Sequence, residues 1–159
     1  MKLEQLLQGV QFQGMAPDLE VTGLTSDSRK VERGGVFVAV DGVRVDGHQF
    51  VPMALEKGAA LIVAQRPVES SVPVLLVEDT RLAYALMAGN FFGNPAQKLR
   101  LVGVTGTNGK TSTTFIMKHV LEQLGEKVGL VGTIVNMVGD EAEEADGTTP
   151  DAMQLHALF

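Results

Sequence analysis

Short apolar runs separated by turn-rich segments dominate the first part of the chain. Most runs are bounded by glycine, proline or charged residues, which is typical of buried strands in a parallel sheet. The predicted strands are Leu19 to Thr25, Val36 to Val40, Ala59 to Ala64 and Val74 to Val77. Helical spacing of apolar residues predicts helices over residues 2–8, over 49–57 with Gly58 at its end, and from Asp79 or Thr80 to about Phe92. Strands alternating with helices predict an α/β fold.

A second unit is expected after Gly93-Asn-Pro95, which stops the preceding helix. A predicted strand in the apolar run from Leu99 to Val104, a glycine-rich loop and a helical pattern from Lys110 to Leu124 follow directly. We therefore expect one α/β domain over residues 1–98 and the beginning of a second domain, with its own parallel sheet, over 99–159.

The helix from Lys110 carries an apolar stripe, so we expect it to pack against a sheet and to end at Gly125. The stripe consists of Phe115, Ile116, Val120, Leu121 and Leu124. After it, Val128 to Val131 predicts a parallel strand, Thr133 to Val138 an extended segment, and 139–146 an acidic, solvated loop. Thr149 predicts a helix cap with Pro150 in the first turn. One strand and one helix cannot cover a parallel sheet, so we expect this chain to be the front portion of a longer protein.

Composition narrows the class of protein. Of the 159 residues, 45% are hydrophobic, which is enough for a packed core. The chain has no cysteine and a net charge of −6 without a basic block, which argues against disulfides and against a nucleic-acid surface. No apolar run is long enough to cross a bilayer, and the N-terminus lacks a signal peptide. We expect a cytoplasmic, monomeric protein that inserts into no membrane.

The segment from Gly103 to Thr111 predicts a phosphate-binding loop between an apolar run and a helix. Glycines let backbone N–H groups turn toward a phosphate, Lys110 can reach the terminal phosphates, and Thr111 can hold Mg²⁺. The usual first glycine is replaced by Val104. A plain strand-to-helix turn is the alternative, but such a turn has no use for a lysine and a threonine at the helix start.

This loop, written Thr105-Gly-Thr-Asn-Gly-Lys-Thr111, resembles the phosphate motif of the Mur ligases, ATP-dependent enzymes that add amino acids to the nucleotide precursor of bacterial peptidoglycan. The upstream block Asp27-Ser-Arg-Lys-Val-Glu-Arg-Gly-Gly-Val-Phe-Val-Ala-Val40 is similar to their N-terminal uridine-nucleotide domain, as are Asp46-Gly-His48 and the block from Ala54 to Val63. Thr148-Thr-Pro-Asp-Ala152 favours the members that add the third amino acid.

The resemblance implies an ATP- and Mg²⁺-dependent ligase that joins meso-diaminopimelate or L-lysine to UDP-N-acetylmuramoyl-L-alanyl-D-glutamate. It implies a catalytic Lys110 and Thr111 as metal ligand. The implied ATP loop is Gly106, Thr107, Asn108, Gly109, Lys110, Thr111 and Ser112. The implied contacts with the nucleotide-sugar substrate are Ser26, Ser28, Val43, Arg44, Val45, Thr148 and Thr149.

Other interpretations of these residues stay open. Ser26 and Ser28 flank Asp27 in a turn, where they could bond only local backbone groups. Arg29 is expected to form a structural ion pair. The three histidines lack the spacing of metal ligands, and none is assigned to catalysis.

Different functions are also open at this point. The chain could be a binding module without chemistry of its own, or belong to the Mur ligase that adds D-alanyl-D-alanine. A small kinase would leave the leading domain unexplained and needs an acidic metal ligand after the loop. A folylpolyglutamate synthetase would begin near its ATP loop, so the long leading domain counts against it.

Overall fold

The computed structural model describes residues 1–42, 45–139, 141–145 and 149–159. The chain forms two compact units, unit 1 over Met1–Asn94 and unit 2 over Pro95–Phe159. Among the described helices, none combines the length and the apolar character that a membrane-spanning segment requires.

Unit 1 is built on a four-stranded parallel sheet in the order β1-β2-β3-β4. The strands are β1 (Leu24–Thr25), β2 (Val36–Val38), β3 (Leu61–Ala64) and β4 (Val74–Leu76). All four lie within predicted strands. Of the run from Leu19 to Thr25, only the end pairs with β2, whereas Glu20 forms an isolated antiparallel bridge with Lys2. Because every strand points the same way, the four carboxyl ends share one edge of the sheet.

Helices cover both faces of this sheet. The helices are α1 (Leu3–Leu6), α2 (Val51–Glu56) and α3 (Thr80–Phe91), with single 3₁₀ turns at Ser28–Lys30 and Gly47–Phe50. Phe37 and Ile62 form one core cluster with Val51 and Ala54 of α2. Neighbouring residues of a strand point to opposite faces, and α3 packs against α1 and β1. The central strands are therefore buried on both sides, which explains their continuous apolar runs.

The ends of the helices follow the signals in the sequence. The Asp79 carboxylate accepts hydrogen bonds from the N–H groups of Arg81 and Leu82 at 2.8 and 3.0 Å, which caps α3. Gly58 has a φ of +90° directly after α2, a conformation that glycine adopts at low cost. The start of α3 and the end of α2 were both predicted, because capping depends on residues close in sequence.

Unit 2 contains α4 (Lys110–Gln123), an antiparallel sheet in the order β5-β6-β7, and α5 (Ala152–Leu158). The strands are β5 (Gly129–Val131), β6 (Val135–Val138) and β7 (Glu141–Glu144). The predicted helix from Lys110 and the extended segment before residue 139 are confirmed. The 3₁₀ turn Pro95–Lys98 precedes them.

Three expectations about the strands of unit 2 are wrong. The segment after Val128 is antiparallel, because a short connection at 132–134 reverses the chain. The acidic segment forms β7, whose exposed carboxylates are typical of an edge strand. Residues 99–105 form no strand with any described residue, and Leu101 and Val102 are exposed.

The apolar stripe of α4 is not covered by the described residues. Ile116 and Leu124 are 64% and 75% exposed, and the buried apolar side chain of unit 2, within the described part, is Leu130. The helix contacts β5 as expected, but four of the five stripe residues stay exposed and only Leu121 is half-buried, so the expected burial of the stripe is not observed. The N-cap of α5 also differs from the predicted one. Asp151, and not Thr149, accepts a hydrogen bond from the Gln154 N–H at 2.8 Å. The side chain of Gln154 returns a hydrogen bond from the Asp151 N–H, so α5 begins after Pro150.

Candidate functional site

The phosphate-loop candidate in unit 2 has the backbone that an anion site needs. Gly106 and Gly109 adopt φ values of +150° and +77°, which side chains rarely allow. Gly109 is the N-cap of α4 and supplies no side chain, so no side chain caps the first turn of this helix. The first N–H groups of an α-helix have no partner within the helix, and they carry positive partial charge. They are directed toward the exposed loop.

Lys110 lies at the first helical position with its ammonium folded back over the loop. Its Nζ donates a hydrogen bond to the Gly106 carbonyl at 2.7 Å. Both Lys110 and Thr111 are half-buried, whereas the loop residues 106–109 and Ser112 are exposed. The structure thus brings the seven predicted ATP-loop residues together around one helix start.

Thr111 is positioned to present its hydroxyl in the first turn of α4. Hydroxyl oxygens are hard ligands of the kind that Mg²⁺ accepts beside water and phosphate oxygens. Within the described residues, no group of three or more histidine, aspartate or glutamate side chains could hold a metal ion. A metal at this loop would therefore depend on Thr111 and on the phosphates of a nucleotide.

A second candidate site lies at the carboxyl edge of the parallel sheet in unit 1. Open α/β sheets bind ligands beyond the carboxyl ends of their strands. The segment 26–28 follows β1, the loop 41–47 follows β2, and Gln65 follows β3. A cleft of about 600 Å³ opens at this edge, between Asp41, Gln65 and the start of α3.

The turn after β1 is held by its own side chains. The Asp27 N–H donates to Thr25 Oγ1 at 3.0 Å, and the Asp27 carboxylate receives both Nε and Nη2 of Arg29 at 2.9 and 2.8 Å. Arg29 therefore forms the predicted structural ion pair. The hydrogen bonds from Arg29 lower the pKa of Asp27 to about 2.

The two serines of this turn differ in burial. Ser28 is buried, with its Oγ 3.2 Å from the Met53 sulfur, whereas Ser26 is half-buried. A methionine sulfur is a weak acceptor, so it leaves the Ser28 hydroxyl available for a stronger partner. The turn therefore places a buried, weakly bonded hydroxyl at the carboxyl edge, on a backbone held by the hydrogen bonds of Thr25 and Arg29.

The loop after β2 is closed on itself. The Gly42 N–H donates to the Val45 carbonyl at 3.1 Å, and a Cβ on Gly42 would lie 2.5 Å from that oxygen. Val45 is 51% exposed at the surface of the loop. Val43 and Arg44 lie outside the described residues, as does Thr148, while Thr149 is exposed before α5.

Sequence reasoning assigned no role to His48, which the structure buries beneath this loop. Its Nδ1 lies 2.6 Å from Asp46 Oδ1, and its Nε2 accepts the Gln65 N–H at 3.1 Å. The N–H of His48 and the Arg66 guanidinium also donate to Asp46, and these hydrogen bonds keep the pKa of that carboxyl well below its usual range. The sequence shows the motif Asp46-Gly-His48, but it does not show that Gln65 and Arg66 are the partners of these side chains.

Comparison with known proteins identifies the class to which this fold and these loops belong. The family model described as "Mur ligase family, catalytic domain" matches residues 20–92, and "Mur ligase middle domain" matches residues 104–159. Together they cover most of the chain, which belongs to the Mur ligase family. The parallel sheet of unit 1 matches the α/β fold that the sequence predicted.

Two curated relatives of this chain carry the name of the same ligase reaction. A protein of Clostridium acetobutylicum, named UDP-N-acetylmuramoyl-L-alanyl-D-glutamate--2,6-diaminopimelate ligase 1, is 46% identical over the whole chain and 34% of its own length. A Listeria monocytogenes ligase named for the same reaction is 42% identical over the whole chain and 33% of its own length. The chain thus spans about a third of the length of these curated relatives.

Solved structures agree on the fold. A structure of a UDP-N-acetylmuramoyl-L-alanyl-D-glutamate--2,6-diaminopimelate ligase aligns with a TM-score of 0.76 over 99% of this chain and 32% of its own. At 24% identity it supports the fold alone. MurF from Acinetobacter baumannii aligns with a TM-score of 0.60 at 32% identity, over 76% of this chain and 27% of its own.

Proposed function

We propose that this chain is the nucleotide-binding portion of an ATP-dependent ligase that adds meso-diaminopimelate to UDP-N-acetylmuramoyl-L-alanyl-D-glutamate in peptidoglycan synthesis. The observation that carries the proposal is the uncapped start of α4, with Lys110 over a loop of two positive-φ glycines. The names of relatives at 42% and 46% identity over the whole chain support the choice of reaction. Both proposed nucleotide substrates are cytoplasmic metabolites, which supports a cytoplasmic location.

The proposed roles in ATP binding follow from the loop. The backbone N–H groups of residues 106–112 and the Lys110 ammonium neutralise the β- and γ-phosphates, and Lys110 gives up the Gly106 carbonyl to do so. Thr111 would offer its hydroxyl to a Mg²⁺ ion, which would supply further positive charge at the phosphates. The chain thereby holds the γ-phosphoryl group in place for transfer.

The chemistry of amide formation explains why ATP is required. A carboxylate is a poor electrophile, so one of its oxygens first attacks the γ-phosphorus of ATP and ADP leaves. The amine of the incoming amino acid then attacks the acyl carbon of the acyl phosphate. Inorganic phosphate leaves, the amine loses a proton, and an amide forms. Lys110 stabilises the charge that develops on the transferred phosphoryl group.

The proposed uridine-nucleotide site is the carboxyl edge of the sheet in unit 1. We assign Ser26, Ser28 and the loop with Val43, Arg44 and Val45 to it, and we assign Thr148 and Thr149 to contacts with the muramoyl part. The buried Ser28 hydroxyl and the hydrogen-bonded turn around Asp27 support this assignment. Ligand sites at this edge are the general rule in α/β sheets.

Nucleotide binding by the 159-residue chain tests the first part of the proposal. Titration calorimetry with a non-hydrolysable ATP analogue and Mg²⁺ is expected to show binding that Lys110→Ala weakens strongly, because the phosphates lose their cation. Lys127→Ala, at an exposed lysine of the same unit, is the matched control. Equal affinity of the Lys110→Ala variant and the unmodified chain would contradict the proposal.

The reaction itself is tested in a longer chain that carries the remaining domains of a Mur ligase. ADP release is expected only with UDP-N-acetylmuramoyl-L-alanyl-D-glutamate and meso-diaminopimelate together. Lys110→Ala should lower kcat by about 10²- to 10³-fold, the usual loss for one preorganised donor. L-Lysine and D-alanyl-D-alanine serve as competing substrates. If the 159-residue chain binds both nucleotides and the longer chain releases no ADP, the module is a binding protein and not a ligase.

A further inference from the structure

The loop after β2 is fastened at its first stem by the start of α3. The Asp41 N–H donates to Thr80 Oγ1 at 3.2 Å, and Nε and Nη2 of Arg81 donate to the Asp41 carbonyl at 3.1 and 3.0 Å. Thr80 is completely buried. Both backbone groups of Asp41 therefore bond to residues that lie about forty positions further along the chain.

The second stem is fastened by the end of β3. The buried His48 accepts the Gln65 N–H through Nε2, so its ring proton is on Nδ1, which donates to Asp46 at 2.6 Å. Arg66 binds the same carboxylate from the other side. The imidazole thus uses both ring nitrogens at once, one as acceptor from the Gln65 N–H and one as donor to Asp46.

Gln65 connects the two stems. Its Oε1 accepts the Thr80 hydroxyl at 2.7 Å and the Thr80 N–H at 3.3 Å, while its own N–H donates to His48. The Thr80 hydroxyl thus donates to Gln65 and accepts from Asp41, which uses its single proton and a lone pair. One continuous set of hydrogen bonds links the strand, the helix and both ends of the loop.

We infer that Thr80 and His48 are positioning residues, which hold the loop containing Val45 in the geometry that receives the nucleotide-sugar substrate. The inference rests on the proposed function of this edge. Loop stems that are held in place before the ligand arrives lose less conformational entropy on binding, so the affinity is higher. The Gly42 N–H donates to the Val45 carbonyl, and this hydrogen bond connects the exposed Val45 to the first stem.

Thr80→Val and Thr80→Ser form a matched pair that tests the first stem. Valine keeps the shape and removes the hydroxyl, whereas serine keeps the hydroxyl. Titration of the 159-residue chain with UDP-N-acetylmuramoyl-L-alanyl-D-glutamate is expected to give a Kd about three- to tenfold higher for Thr80→Val, the range for losing one net hydrogen bond. Thr80→Ser should restore most of the affinity. Affinity for the ATP analogue should not change in either variant.

Amide hydrogen exchange supplies a readout of the stem itself. The Asp41 amide should exchange faster in Thr80→Val than in Thr80→Ser when both are compared at equal thermal stability. If Thr80→Val does not fold, His48→Asn and His48→Gln decide the question, because asparagine can keep the bond to Asp46 and glutamine the bond to Gln65. Both should raise the Kd while leaving a folded chain.

The outcomes separate this inference from the proposed function. If the unmodified chain binds no nucleotide sugar, the proposed site is wrong and the inference falls with it. If the unmodified chain binds and the folded Thr80 and His48 variants bind equally well, the site stands and the positioning role is wrong. A higher Kd with faster Asp41 exchange, reversed by serine, supports the inference.

Discussion

Gly47 shows how a single residue allows the loop after β2 to return to the sheet. A Cβ at this position would lie 2.6 Å from the Val40 carbonyl oxygen and 2.7 Å from the Val40 nitrogen. The Gly47 N–H also donates to that carbonyl at 2.9 Å, so the two backbones cannot separate without losing a hydrogen bond. Glycine is needed here because of close approach.

We predict that Gly47→Ala lowers the free energy of unfolding by about 1–3 kcal/mol, the usual range for overpacking in a tightly packed region. Urea denaturation of the 159-residue chain measures it. Gly23→Ala is the matched control, because a Cβ there would meet only the Glu32 carboxylate at 3.8 Å. Equal unfolding midpoints for the two variants would show that the backbone around Val40 gives way easily.

The ion pair between Asp27 and Arg29 gives a prediction on pH. The pKa of Asp27 is lowered from 3.8 to about 2 by its hydrogen bonds with Arg29. A lowered carboxyl pKa stabilises the folded chain above pH 4, and this stabilisation is lost as the pH falls toward 2. Because the Arg29 side chain is 81% exposed, screening by solvent keeps this contribution small.

Arg29→Gln is therefore expected to be slightly less stable than the unmodified chain above pH 4 and equally stable near pH 2. Urea unfolding at a series of pH values measures the difference. A difference that stays constant from pH 5 to pH 2 would mean that Arg29 acts through packing and not through Asp27.

At the scale of elements, the start of α3 has two structural tasks. Asp79 caps the helix through two N–H groups, and the next two residues hold the first stem of the loop after β2. Thr80 and Arg81 lie in the first turn of α3, so they can hold the loop stem only if the helix begins at a fixed residue, which the Asp79 cap provides.

We predict that Asp79→Ala costs about 0.5–2 kcal/mol of unfolding free energy, the usual value of an N-cap, and that Asp79→Asn retains most of the stability. Thermal unfolding of both variants followed by circular dichroism measures the effect. If alanine and asparagine destabilise equally, the negative charge and not the cap is the important feature.

At the scale of the whole molecule, the two units differ in how well they bury apolar surface. Unit 1 buries its central strands completely, with Phe37, Leu61 and Ile62 at 0% exposure. Unit 2 buries Leu130 among its described apolar residues and leaves the stripe of α4 exposed. Burial of apolar side chains is the main source of folding free energy, so the units should differ in stability.

We predict that residues 1–94 produced alone unfold in one cooperative transition, whereas residues 95–159 alone show weak amide protection and bind a hydrophobic dye. Urea denaturation and hydrogen exchange of the two fragments measure this. Cooperative, well-protected folding of the second fragment would show that its exposed stripe is compatible with an independent core.

What the sequence determined by itself is the local part of both candidate sites. The apolar runs predicted β2, β3 and β4, Asp79 or Thr80 was the predicted cap of α3, and the residues around Lys110 predicted a glycine-rich loop at a helix start. Each of these features depends on residues a few positions apart, so spacing and side-chain type are sufficient to find them. The contacts assigned to individual substrate-binding residues stay predictions.

The tertiary structure alone decided which distant residues meet. Asp41 bonds to Thr80, and His48 bonds to the backbone of Gln65, because the carboxyl ends of parallel strands share one edge. The antiparallel course of β5 to β7 was also missed, since local pattern does not specify the partner of a strand. Pairing and long-range hydrogen bonds depend on the whole chain, so periodicity and local spacing do not reveal them.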